Sequence, residues 1–134
     1  MIIPLLFLIA GISFGAPTAL GEDLEHELAQ NPETMSAYVR QYFAHEPILA
    51  EIAWCESRMR HLGPDGEIFR GKVNKSDIGV MQINTAYHRE KAEELDFDLY
   101  SLNGNLAYAQ YLFDKEGTKP WASSKPCWGR AVKN

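Results

Sequence analysis

The sequence predicts an α+β domain that is mostly α, with a small β-hairpin beside its central helix. Three observations lead there. Helix start and stop signals recur along most of the chain, at Asn31-Pro32-Glu33, at Pro47 and between Leu102 and Gly117. Strand-like residues gather in one stretch around Gly71. The 134 residues suit one core rather than two. Neither a low-complexity run nor a fixed internal period is present, and 46% hydrophobic with 23% charged residues is ordinary for a globular chain.

The chain opens MIIPLLFLIAGISFGA, an uncharged apolar run broken by Pro4 and Gly11. Spanning a bilayer takes about 20 apolar residues, so this run is better suited to a secretory signal. Small residues permit cleavage after Gly15, Ala19 or Gly21. Residues 1–21 therefore read as a signal peptide and 22–134 as the mature domain, exported to a periplasmic or extracellular space. An uncleaved N-terminal membrane anchor is the alternative. The formal charge of −5 falls wholly after residue 21. It disfavours a nucleic-acid partner and leaves recognition of any anionic polymer to contacts inside a groove. In an oxidising compartment Cys55 and Cys127 can pair, closing a loop of about 70 residues worth roughly 4 kcal/mol on the loop-entropy model. Two buried thiols are the other possibility.

Along the mature chain, Glu22 to Gln30 reads as a short acidic helix. Asn31 then offers an N-cap and Pro32 a first helical position, so a second helix runs to about Ala44. Pro47 starts a third, PILAEIAWCESRM, which Gly63-Pro64-Asp65-Gly66 ends. The stretch EIFRGKVNKSD supplies the hairpin. Thr85 caps a charged, solvated helix reaching Leu95. The last helix begins near Leu102, with Leu102, Leu106, Ala109 and Leu112/Phe113 as its apolar stripe, and stops at Gly117. The tail TKPWASSKPCWG reads as turn-rich, tied down by Cys127.

The third helix carries the informative residue. At 100° per residue, Leu49, Ile52, Glu56 and Met59 share one stripe, while Glu51 and Arg58 project from the other side. Glu56 is thus aimed at the core or a cleft edge, where burial raises a carboxyl pKa and suits it to general-acid work. A structural ion pair would place a glutamate there equally well. Some twenty residues on, Ser76-Asp77-Ile78-Gly79-Val80-Met81-Gln82-Ile83-Asn84 combines a second acid, a flexible glycine, apolar anchors and two amides. Gln82 and Asn84 suit the reading of acetamido and hydroxyl groups on a sugar.

Cys-Glu-Ser at 55–57, the segment at 77–84 and Asn105-Leu106-Ala107-Tyr108-Ala109-Gln110-Tyr111-Leu112 together resemble the lysozyme-like superfamily. The nearest likeness is to small bacterial lytic transglycosylases associated with secretion systems. The resemblance spans roughly Leu49 to Leu112. It is specific as an ordered set; the Glu-Ser pair alone is not. It implies a lysozyme-like domain with Glu56 as catalytic acid/base, and Asp77 as the second carboxylate at the catalytic centre. It further implies Ser57 and Gln82 beside the substrate and Asn105 as a structural asparagine at a helix start. The tyrosine in an Ala-Tyr-Asn context that the family carries near its C-terminus has no counterpart; Trp121, Ser123 and Trp128 occupy that region.

The resemblance implies a peptidoglycan glycosidase with no cofactor, acting as a monomer on glycan strands, with a secretion or conjugation machine as a potential partner. Two chemistries stay open. A lytic transglycosylase cleaves the β-1,4 bond between N-acetylmuramic acid and N-acetylglucosamine with Glu56 alone. A hydrolytic muramidase uses Glu56 and Asp77 together. A non-catalytic glycan-binding accessory module is the reading from another class. His45, His61 and His88 lack metal-ligand spacing, and Trp54, Trp121 and Trp128 could pack or stack on sugars.

Overall fold

The computed structural model describes residues 26–28 and 31–133. The proposed signal segment lies outside these residues, as does most of the expected acidic helix, of which residues 26–28 are helical. Asn31 caps the first full helix, α1 (Pro32–Tyr42), its Oδ1 accepting from the Glu33 and Thr34 amides at 3.1 and 3.2 Å. Pro32 fills N1, where the missing N–H costs nothing. Met35 and Val39, four residues apart, turn one buried face inward.

The second helix, α2 (Pro47–Ser57), is the centre of the core. Leu49, Ala50, Ile52 and Ala53 are buried, and the helix packs against α1 and the C-terminal segments. It ends earlier than expected. Arg58 at φ 56° and Met59 at φ 61° are both left-handed, so the chain leaves the helix directly after Ser57. Met59 is buried, but from beyond the helix rather than along its stripe. The Gly63–Gly66 turn does a different job from helix termination. The Gly63 amide donates to the Glu67 carbonyl at 2.7 Å and the turn closes a bridge between Leu62 and Ile68.

The sheet also sits elsewhere than expected. Strands β1 (Asp77–Ile78) and β2 (Ile83–Asn84) pair antiparallel, with Asp77 opposite Asn84 and Ile78 opposite Ile83. The hairpin is therefore the 77–84 segment itself, and the stretch around Gly71 contributes two isolated bridges, Ile68 to Leu62 and Arg70 to Ile78, and ends at Asp77 of β1. Gly79 (φ 71°) turns the chain in a crowded place: a Cβ there would stand 2.5 Å from Asn105 Nδ2 and 2.9 Å from His61 Nδ1. No residue but glycine fits.

Helix α3 (Thr85–Glu94) is capped by Asn84 rather than Thr85, the Asn84 Oδ1 accepting from the Tyr87 amide at 3.3 Å. Helix α4 (Leu102–Glu116) starts at a Ser101 cap and stops at Gly117, as the sequence predicts. Its buried stripe is Leu102, Asn105, Leu106, Ala109 and Leu112, with Tyr108. Phe113 is only partly buried. The tail is helical rather than turn-rich: a 3-10 helix Lys119–Ser124, a short α5 (Lys125–Trp128) and a 3-10 turn Ala131–Lys133. Cys55 and Cys127 form a disulfide with Cα atoms 5.9 Å apart, which fastens this tail to α2. Among the described residues no helix is long and apolar enough to cross a membrane.

The tip of the hairpin is buried and its backbone polar groups need partners. Asn105 supplies three. Its Nδ2 donates to the Ile78 and Leu99 carbonyls at 3.1 and 3.0 Å, and its Oδ1 accepts from the Met81 amide at 3.0 Å. Replacing it with leucine keeps the branching at Cγ and strands all three groups in the core. Each stranded group costs about 1–3 kcal/mol, so urea unfolding of Asn105→Leu is expected to show a loss of at least 3 kcal/mol. A loss below about 1 kcal/mol would contradict this account.

Candidate active site

Glu56 occupies the last turn of α2, next to the disulfide and at the mouth of a cleft of about 540 Å³. Asp77, Gln82, Asn84, His88 and Trp121 also line that cleft. The left-handed exit at Arg58 explains the placement. Had the helix continued, Glu56 would be mid-helix; as it is, the carboxyl stands where the chain turns away and the hairpin faces it.

Glu56 is half-buried, and desolvation is the main cause that raises its carboxyl above the ordinary glutamate range. A hydrogen bond from Ser124 opposes the rise, and the Asp77 charge adds to it. The Ser124 hydroxyl is 2.5 Å from Glu56 Oε1 and 3.1 Å from the Trp121 carbonyl. Ser124 reaches the carboxyl because of the disulfide. It precedes Cys127 by three residues, and Cys127 is bonded to the neighbour of Glu56. Below lies Trp121, 3% exposed, whose indole Nε1 donates to the Met81 carbonyl at 3.0 Å. Trp128 is buried behind it and donates its own Nε1–H to the Trp121 carbonyl at 3.0 Å.

The hairpin presents Asp77. Its Oδ1 accepts from Asn84 Nδ2 at 2.8 Å across the non-slipping register of β1 and β2. Asn84 thus gives one amide proton to Asp77 and one oxygen lone pair to the α3 cap, and it lines the cleft as well. Gln82, at φ 50°, lines the cleft but turns its Nε2 back to the Gly79 carbonyl at 2.9 Å. Its Oε1 remains as the acceptor available to a ligand.

Two expected site residues stand behind the cleft. Ser57 is 1% exposed; its hydroxyl lies 2.8 Å from the Val80 carbonyl and 3.1 Å from the Ala53 carbonyl, and accepts from the Arg60 amide at 3.1 Å. Its single proton faces two carbonyls, and the residue lies buried behind the cleft, not among the residues that line it. Asn105 is structural, as expected.

His61 is also structural. The Val80 amide donates to its Nδ1 at 3.3 Å, so Nε2 carries the proton and donates to the Tyr100 carbonyl at 2.8 Å. His88, by contrast, faces the cleft from the first turn of α3 together with Tyr87, in a helix the sequence presents as solvated throughout. Burial holds the His88 imidazole below its ordinary pKa, against an opposing pull from Glu116. Its Nδ1 is 3.2 Å from the hydroxyl of Tyr108, which burial pushes up to about 12. Trp54, exposed, sits under Arg58 and away from the cleft.

Sequence reasoning missed Ser124 as the hydrogen-bond partner of Glu56, and Tyr87 and His88 as cleft residues. For Ser124 the signal was available: a Cys55–Cys127 bridge forces the residues just before Cys127 onto the Glu56 end of α2. For the other two there was none. Among the described residues no group of three or more His, Cys, Asp or Glu side chains is placed to hold a metal ion. No family model, curated protein or solved structure matches the chain.

A half-buried carboxyl is a cost to folding once ionised. With its pKa raised, Glu56 contributes stability that is fully present below the unfolded-state glutamate pKa and lost as pH rises through the folded one. Glu56→Gln has no such loss. Its melting temperature is expected to match that of the parent near pH 4 and to exceed it at pH 8, by a margin on the order of 1 kcal/mol in stability. A difference independent of pH would show that Glu56 is not held in the raised state.

Proposed function

We propose that this chain is a peptidoglycan lytic transglycosylase, with Glu56 as the general acid and then the general base. The observation that carries the reading is a desolvated glutamate with a raised pKa, at the edge of an open cleft, facing a second carboxylate. A general acid has to retain its proton near neutral pH until substrate arrives, and desolvation supplies that. Nothing about packing requires a carboxyl on this face of α2, where Leu49 and Ile52 are fully buried hydrocarbons.

In this reading a glycan strand lies along the cleft with its scissile oxygen at Glu56. The Glu56 proton passes to the glycosidic oxygen, the bond from that oxygen to C1 of N-acetylmuramic acid breaks, and N-acetylglucosamine leaves with a free 4-hydroxyl. Positive charge develops at C1 and its ring oxygen. The muramyl 6-hydroxyl then attacks C1 and gives its proton to the Glu56 carboxylate. A 1,6-anhydro ring closes, Glu56 regains its proton, and no water is consumed. The carbonyl oxygen of Gln82 is available to accept from a sugar N–H or O–H. Asp77, braced by Asn84, contributes negative charge opposite the developing cation.

The same position of Asp77 favours a second reading, a hydrolytic muramidase in which it serves as the nucleophile of a retaining pair. The domain would act on cell wall outside the cytoplasm, alone or recruited by a secretion or conjugation machine. A glycan-binding module that does no chemistry gives Glu56 nothing to do.

Purified cell wall incubated with the protein tests all three. Muropeptides lighter by one water than the hydrolytic products are expected, and Glu56→Gln is expected to lower their release by 10³-fold or more, on the order of what loss of a general acid costs. Reducing ends at full mass would replace this reading with the muramidase, and binding without cleavage by the parent would replace it with the accessory module. Asp77→Asn is expected to slow the transglycosylase by about tenfold to a hundredfold, through loss of charge stabilisation alone.

A further inference from the structure

We infer that Ser124 is a proton-accommodating rotor for Glu56, a positioning residue that satisfies the carboxyl in both of its protonation states. The inference rests on the acid/base reading of Glu56 and adds a residue that reading does not need. Its basis is a count of protons.

The Ser124 hydroxyl sits within hydrogen-bond distance of two oxygens, Glu56 Oε1 at 2.5 Å and the Trp121 carbonyl at 3.1 Å. A hydroxyl has one proton to give. An ionised Glu56 and a carbonyl are both acceptors only, so Ser124 cannot serve the two at once. With Glu56 ionised, the proton points at Oε1. The Trp121 carbonyl is not abandoned, because the Trp128 indole N–H donates to it at 3.0 Å. With Glu56 protonated on Oε1, the direction reverses: the carboxyl donates to Ser124, and Ser124 donates to the Trp121 carbonyl. One torsion about the serine Cβ–Oγ bond converts the first arrangement into the second. No buried donor or acceptor is lost in either.

A group that gives up a proton and takes one back in the same turnover needs such a partner. A backbone N–H in that place would favour only the anion, and a carbonyl would favour only the acid. The hydroxyl does both. Other ionisable groups face the same cleft: Asp77 from β1, His88 from α3, Glu116 at the end of α4 and Lys119 from the following 3-10 helix. Among them Asp77 perturbs Glu56 appreciably, and only Ser124 is bonded to it.

Titration of the Glu56 carboxyl carbon by NMR, with Glu56→Gln for assignment, tests this without substrate. Ser124→Ala deletes the donor to the anion. The bond Ser124 gives the carboxylate is charge-assisted and stronger than the one it accepts from the acid, so the Glu56 midpoint is expected to rise by a fraction of a pH unit, roughly a twofold to fivefold weaker ionisation, while Ser124→Thr returns it to the parent value. The unsubstituted protein offers a second readout. The Trp128 indole N–H is expected to shift downfield as Ser124 turns away from the Trp121 carbonyl, with the Glu56 midpoint. An unmoved midpoint in Ser124→Ala, or an indole signal indifferent to Glu56 ionisation, overturns the rotor. If the midpoint moves and the indole signal follows it but the parent leaves cell wall uncut, the rotor stands and the proposed activity falls.

Discussion

The arrangement depends on satisfying one buried piece of backbone, residues 78 to 82 at the tip of the hairpin. Five of its polar groups find side-chain partners drawn from distant parts of the chain. Asn105 takes the Ile78 carbonyl and the Met81 amide, His61 the Val80 amide, Ser57 the Val80 carbonyl and Trp121 the Met81 carbonyl. Val80 and Met81 are themselves fully buried. A two-residue ladder cannot hold a hairpin by its own hydrogen bonds. Here the core holds it, through apolar anchoring of Val80 and Met81 and through polar partners that admit only one register. Asp77 precedes that segment and Gln82 ends it, so the precision of the cleft is inherited largely from groups behind it, Asn105, His61 and Ser57, with Trp121 alone reaching the cleft itself.

The second support is covalent. α2 ends at Ser57 and the tail returns through Cys127 to Cys55, closing a loop of 72 residues in separation. The bond restricts the unfolded chain, but its position matters more for the site. It brings Trp121, Ser124 and Trp128 against the end of α2, where they form the floor and side of the Glu56 environment. The result is a carboxyl with water on one side, indole and hydroxyl on the other. Such an environment desolvates without isolating, and it raises the carboxyl above its ordinary range.

Much of this was legible in the sequence. The stripe of Leu49, Ile52 and Glu56 points to a carboxyl at a cleft edge, and the acid, glycine, apolar anchors and amides of 76–84 point to the segment that shares that cleft. The helix from Leu102 to Gly117 is legible almost to the residue, because a long apolar stripe and a C-terminal glycine agree there. The failures share a cause. Arg58 and Met59 are left-handed without being glycine, a conformation set by packing around them and invisible to local propensity. Asn84 took the cap from Thr85 because pairing with Asp77 had already fixed its backbone at the hairpin's edge. The proline-rich tail became helical because each proline falls at an N-terminal position, where its missing N–H is harmless. Residues near Gly71 have strand composition but form only isolated bridges, at Ile68 and Arg70, since the hairpin's own edge is two residues long.

Ser57 and Ser124 make the limits of sequence reasoning concrete. Both are small hydroxyl residues, and Ser57 is adjacent to Glu56 in the chain while Ser124 is 68 residues away. Adjacency on a helix is misleading here, because consecutive residues point about 100° apart. Ser57 consequently faces the hairpin backbone, its one proton directed at the Val80 and Ala53 carbonyls while it accepts from the Arg60 amide. The role of hydroxyl neighbour to the carboxyl then falls to whichever element is packed over the other side of Cys55. The disulfide decides which element that is. A site built this way ties its chemistry to its fold: the bond that fastens the tail also delivers the hydroxyl, and the hydrogen bonds that bury the hairpin also aim its acid at Glu56.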